Sequence, residues 1–205
     1  MSAGTTLLAI GCALGIATEN AHAGAQEREK LSDSVRARLA TAVSDRSVPV
    51  LDFRTGPENA HKWLFEMSKR LARKIPDRAQ RTELLKTVHF EAQRAGLDPQ
   101  LVLGLIEVES GFRKYAVSRA GARGYMQVMP FWVEEAGRPR NNLFHLRTNL
   151  IYGCWILRHY LDMENGDYYR ALGRYNGSLG RPEYPNLVLA HWKNQNRWGY
   201  EGPTS

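Results

Sequence analysis

The chain has 205 residues, 43% of them hydrophobic, which suits one domain with a proper core and at most a short appendage. Its formal charge of +7 favours anionic partners (nucleic acid, a membrane surface or an acidic wall polymer) without choosing among them. Two cysteines, six scattered histidines and no CxxC or HExxH spacing argue against a disulfide scaffold and against a metal site, and no cofactor is expected.

In chain order, Leu7 to Ala17 is an apolar run too short to span a bilayer. Ala21-His22-Ala23 follows with the small-x-small pattern of a signal-peptidase site, although no Lys or Arg precedes the run. The expectation is a signal peptide over residues 1–23 and a periplasmic location, with lipid anchoring at Cys12 as a minor alternative. Residues 24–60 are read as a basic segment and linker holding one helix, about Glu27 to Val43. From His61 the pattern turns helical, with Trp63, Leu64, Met67, Leu71 and Ile75 on one stripe. Pro76-Asp77 breaks that helix and caps the next, which runs to Gly96. Asp98-Pro99 starts another, with proline at the first position, where its missing N–H costs nothing. LRTNLIYGCWILRHYLDME, DYYRALGRYNG and NLVLAHWKNQNRW are three further helical stretches, and 113–142 and 176–186 read as loops. Cys154, inside the first of these stretches, reads as a buried small hydrophobe. The class is mostly α, with residues 61–205 as the main domain.

One stretch carries chemistry. In a helix beginning at Pro99, Leu101, Val102, Leu105, Ile106 and Val108 share a broad arc, and Glu109 projects near its middle. Glu107 points to the opposite side, beside Leu103, and reads as a solvated or capping residue. A carboxyl on an apolar arc has its pKa raised by desolvation, as a general acid requires. A helix C-terminus at Gly111 raises it further. The commoner outcome for such a residue is a buried ion pair, and Arg113 stands four residues on. After this helix, Gly121 and Gly124 permit tight turns and Gln127 offers a donor and an acceptor. Tyr125, Met126, Met129 and Trp132 suit apolar platforms or core packing.

The segment GLDPQLVLGLIEVESGFRKYAVSRAGARGYMQVMP, followed by NLFHLRTNLIYGCWILRHYL and Arg174-Tyr175-Asn176, resembles the soluble lytic transglycosylases, relatives of goose-type lysozyme. The likeness rests on Glu109-Ser110, on Ser118 with Gly121-Ala122, on Gly124 through Pro130, on Asn149 and Gly153, and on Tyr175-Asn176, all in one order. It departs at Tyr125 (usually Leu), at Arg174 (usually Ala) and at Gly177-Ser178 (usually Ala-Gly).

The resemblance implies a lysozyme-like helical domain with a cleft. Its activity would be non-hydrolytic cleavage of the MurNAc–GlcNAc bond of peptidoglycan, leaving a 1,6-anhydro end. It implies Glu109 as acid and base. Ser118, Gln127, Met129, Tyr175 and Asn176 would line the sugar groove, with Ser110, Tyr125 and Met126 completing the substrate-binding set. Peptidoglycan is then the partner, a secretion, conjugation or pilus machine a further one, and the protein is expected to act as a monomer without nucleic acid. Open alternatives are a hydrolytic muramidase of lysozyme type, a non-catalytic glycan-binding scaffold and a basic nucleic-acid or membrane-surface binder. Against the last, the Lys and Arg residues are spread along the chain.

Overall fold

The computed structural model describes residues 26, 28–53, 56–136, 138, 140–194 and 196–200. The expected export signal and Cys12 lie outside these. Among the described residues there are eight helices and no strand: α1 (Asp33–Ser44), α2 (Pro57–Leu71), α3 (Arg78–Arg94), α4 (Pro99–Ser110), α5 (Phe131–Glu135), α6 (Leu146–Met163), α7 (Tyr168–Asn176) and α8 (Glu183–Lys193). The mostly α class is as expected.

Local chemistry sets the helix ends. Asp77, Asp98 and Asp167 each accept a backbone N–H from the first turn of α3, α4 and α7, which satisfies donors that have no partner inside the helix. Three ends differ from the sequence reading. Helix α1 starts at Asp33, not near Glu27, because the Ser32 side chain takes the N-cap and accepts from the Val35 N–H. Residues 28–31 are left outside the helix as an arm without regular structure. Helix α5 is a five-residue turn inside the expected 113–142 loop. Helix α8 begins at Glu183, inside the expected 176–186 loop, because Pro185 falls in its first turn, where no intrahelical donor is needed.

Helices α3, α6, α7, α8 and α4 form a closed circuit of contacts, with α1 packed on α6 and α2 on α3. Within the segment 24–60, Leu31, Val35, Leu39, Ala42 and Phe53 join the same core as the rest of the chain. Trp63, Met67 and Leu71 of the predicted α2 stripe are at most 1% exposed, each burial contributing about 2 kcal/mol. Helix α4 is central: every residue from Pro99 to Ile106 is buried, including Leu103 on the side read as solvated. Helix α8 approaches α4 closely at Gly104, where an added Cβ would lie 3.2 Å from the Trp192 backbone nitrogen. Cys154 is fully buried in α6, and desolvation pushes its thiol up.

Candidate active site

The segment following α4 folds back on the C-terminal end of that helix. It turns through two isolated bridges, Val117 to Arg123 and Arg123 to Val128. Asn149, fully buried on α6, organises it. Its Oδ1 accepts from the Met126 N–H at 2.8 Å, and its Nδ2 donates to the Arg123 and Leu143 carbonyls at 2.8 and 2.9 Å. Gly124 sits at φ +77°, and a Cβ there would come within 2.5 Å of Asn149 Nδ2, so glycine is required on both counts. Gly153 on α6 makes room for Met126 in the same way, since an added Cβ would lie 2.4 Å from its sulfur.

The polar residues predicted to line a groove bond largely to this loop. The Ser110 hydroxyl donates to the Tyr125 carbonyl at 2.7 Å, with the Ile106 carbonyl at 3.1 Å. Gln127, at φ +48°, uses both amide hydrogens on the Ala116 and Gly124 carbonyls. The Tyr175 hydroxyl donates to the Met126 carbonyl at 2.8 Å. Ser118 Oγ accepts from the Ala122 N–H at 3.1 Å. Met126 and Tyr175 are fully buried, Tyr125 is 8% exposed, and Ser118 and Met129 are half-buried. Asn176, 7% exposed at the end of α7, has a buried Oδ1 without a hydrogen-bond partner.

Glu109 is 6% exposed. Its Oε1 accepts from the Tyr184 hydroxyl, and its Oε2 is buried without a partner. Burial drives its pKa from 4.5 up to about 8, against a smaller downward pull from Tyr184. Arg113 is not its partner: that guanidinium donates to the Ser110 carbonyl. Burial raises the Tyr175 and Tyr184 phenols and the Glu109 carboxyl raises them further, while the Gln26 amide acts on Tyr175 in the opposite sense. Glu109 therefore stands as a neutral acid with one aromatic hydroxyl, that of Tyr184, as its hydrogen-bond partner.

Glu107, two residues earlier, has the other fate. Its side chain is 8% exposed rather than solvated, and it pairs with Lys74 at 3.1 Å and Arg197 at 3.0 Å while accepting from Trp198 Nε1. It anchors the chain after α8 to α4.

Tyr184 and Gln26 were not legible as site residues. Tyr184 looks like a loop residue between Pro182 and Pro185. The available signal is its spacing of four from buried Val188, which extends the apolar face of α8 one turn. Nothing in the sequence marks Gln26.

A family model described as "Transglycosylase SLT domain" matches residues 86–186, the span from α3 to the start of α8. Membrane-bound lytic murein transglycosylase C of Haemophilus influenzae (strain PittEE) is 34% identical over 118 residues, covering 51% of this chain and 32% of the relative. The protein of that name from Actinobacillus pleuropneumoniae (serotype 5b, strain L20) is 42% identical over 73 residues, covering 36% and 20%. The chain thus spans about a third or less of the length of these curated relatives. Among solved structures, an inactive mutant of lytic transglycosylase Slt from Pseudomonas aeruginosa is 20% identical, with a TM-score of 0.44, covering 80% of this chain and 34% of that one. Residues 86–186, just under half of the chain, are thus a transglycosylase SLT domain, and the relatives that match this chain are named lytic murein transglycosylases.

Proposed function

We propose that the protein is a peptidoglycan lytic transglycosylase and that Glu109 is its single acid and base. The observation that carries this reading is a carboxyl buried without a counter-charge, with one oxygen unpartnered and a pKa near 8. Such a group keeps its proton at neutral pH and can release it to an ether oxygen. A two-carboxylate glycosidase needs a second acid across the scissile bond; among the described residues no other carboxylate acts on Glu109. The family and the names of its relatives support murein as the substrate.

In this mechanism a glycan strand brings its glycosidic oxygen to Glu109 Oε2. The carboxyl donates its proton as the C1–O bond breaks, and the leaving sugar departs with a new hydroxyl. The carbonyl of the 2-acetamido group holds C1 in the interval. The Glu109 carboxylate, supported by Tyr184, then takes the proton of the C6 hydroxyl. The C6 oxygen bonds to C1, leaving a 1,6-anhydro ring and a reprotonated Glu109, with no water consumed. Ser110 fixes the loop against α4, Tyr175 ties it to α7, and Gln127 braces it from within. Met129, Ser118, Tyr125 and the unpartnered Asn176 Oδ1 are the groups left to face sugar.

The sequence signal over 1–23 and the membrane-bound relatives support an envelope location, with the periplasm as the working compartment. Local wall opening for a secretion, conjugation or pilus machine is consistent with the basic charge. The deciding experiment is the mass of muropeptides released from purified sacculi. Anhydro ends are expected, and they disappear with Glu109→Gln. Reducing ends, one water heavier, would assign the chain to the hydrolytic muramidases instead. Unchanged activity in the Glu109→Gln protein would overturn the residue assignment.

A further inference from the structure

The arm preceding α1 runs over the site loop. Leu31, 1% exposed, anchors it in the core. Arg28 pairs with Glu135 of α5 at 2.8 Å, and Glu29 pairs with Arg174 of α7 at 3.2 Å. Gln26, 6% exposed, enters the loop itself. Its Oε1 accepts from Trp132 Nε1 at 2.9 Å and from the Met129 N–H at 3.3 Å, and its Nε2 donates to the Gln127 carbonyl at 3.3 Å. The arm thus bridges α5 and α7 with a carboxamide inserted between them.

Two features set this apart from an ordinary packed terminus. The first is chemical. Two N–H donors and one carbonyl, converging on a planar amide, read a carbonyl and an N–H together. An acetamido group on an amino sugar presents the same pair. The second is particular to this chain. Arg174 stands where the family resemblance leads one to expect alanine, and its guanidinium holds Glu29. An alanine has no group to do so.

We infer that the Gln127 carbonyl, the Met129 N–H and Trp132 Nε1 form a reading site for the acetamido group of an amino sugar, and that Gln26 is an internal occupant that must leave before such a ligand enters. This rests on the glycan-cleaving reading above. Release is local. Leu31 and α1 stay docked while Gln26 and residues 28–30 lift. The clamps are weak where they are wet: the Arg28 and Glu134 side chains are 57% and 58% exposed, so salt screens them. Glycan affinity is then reduced by the fraction of molecules in which the arm is down.

The test is calorimetric titration of the β-1,4-linked N-acetylglucosamine trimer into the full chain carrying Glu109→Gln, which binds without turnover, with and without Gln26→Ala. Gln26→Ala is expected to bind the trimer about tenfold tighter, as removal of a conformational competitor requires, and to leave binding of the glucose trimer unchanged. A second protein, Arg28→Ala with Glu29→Ala, keeps the carboxamide but loosens its clamps and should tighten binding by a smaller factor. Equal or weaker trimer binding by Gln26→Ala overturns the inference. A drop in thermal midpoint alongside weaker binding overturns it too, since Gln26 is then a structural brace. Sacculus digestion by the wild-type chain separates the two readings. Digestion without tighter binding leaves the function standing and removes the strap, whereas a chain that neither digests sacculi nor binds the trimer removes the function and the proposed ligand together.

Discussion

Two buried glutamates on neighbouring helices have opposite environments. Glu91 of α3 is fully buried and meets Arg147 at 2.7 Å and Arg94 at 3.4 Å. Both arginines also meet Asp45, at 3.2 and 2.8 Å. Asp45 is itself held down to about 2, chiefly by the Ser47 N–H and hydroxyl. Two cations and two anions close a balanced cluster that ties the end of α1 to α3 and α6. Burial pushes the Glu91 carboxyl up, and the guanidinium groups pull it back. Glu109 of α4 is buried almost as deeply and has one neutral phenol. Burial alone does not produce a proton donor. What distinguishes the two sites is the missing counter-charge, so one carboxyl is architecture and the other is the one proposed to keep a proton for use.

The comparison breaks most visibly through activity. Glu109→Gln should lower the rate of sacculus solubilisation by roughly 10³-fold, the scale of a lost general acid, with the fold intact. Glu91→Gln should leave turnover per folded molecule near that of the wild type. If the second substitution costs as much turnover as the first, the division between the two carboxyls fails. Stability separates them in the reverse direction. Arg147→Ala leaves Glu91 and Asp45 sharing Arg94 as the one remaining cation of the cluster and should cost about 3–5 kcal/mol in urea unfolding. A loss near 1 kcal/mol would mean that water already reaches the cluster.

The pH dependence of stability sharpens the same contrast. Glu109 has a folded pKa of about 8 against an ordinary 4.5. Between those values the folded state holds a proton that the unfolded chain has released. The stability tied to that proton is therefore complete below pH 4.5 and is lost as pH rises through 8. Glu109→Gln removes the dependence while keeping an acceptor for Tyr184. It should stabilise the protein by roughly 3 kcal/mol near pH 7 and by little at pH 4, from the linkage of a shifted carboxyl. Thermal midpoints measured at the two pH values settle the sign. An equal gain at both would place the effect in packing and not in the proton.

Much of this was readable from residue order, for physical reasons. Asp77, Asp98 and Asp167 announce helix starts because a short carboxylate beside a helical run has one good use there. Trp63, Met67 and Leu71 announce a face through their spacing. Glu109 is conspicuous because it interrupts an apolar arc. Its partner is a different matter. Periodicity places Arg113 within reach, and only three-dimensional packing sends that guanidinium to a carbonyl and brings Tyr184 in from 75 residues away. The all-round burial of α4 was likewise invisible, since Leu103 becomes core only when α8 is laid across Gly104. Glu107 looks solvated in isolation because Lys74 and Arg197 are remote in sequence. Long-range polar pairing leaves no period, so it is what a linear reading loses.

The smallest effect falls on that remote pairing. The Tyr184 hydroxyl donates to Glu109 Oε1 and holds the carboxyl pKa below where burial alone would put it. Tyr184→Phe keeps the ring and removes the donor, leaving both carboxyl oxygens without partners. The charged form loses more than the neutral one, so the pKa rises and the alkaline limb of the kcat/KM profile should move to higher pH. The acid step weakens and the base step strengthens, so the opposing changes partly cancel and kcat should fall by no more than about tenfold, the scale of one hydrogen bond to a charged group. A limb that stays in place while kcat falls would show that Tyr184 orients sugar and does not tune the carboxyl. Burial would then set the Glu109 pKa unopposed, and its contrast with Glu91 would rest wholly on the absent arginines.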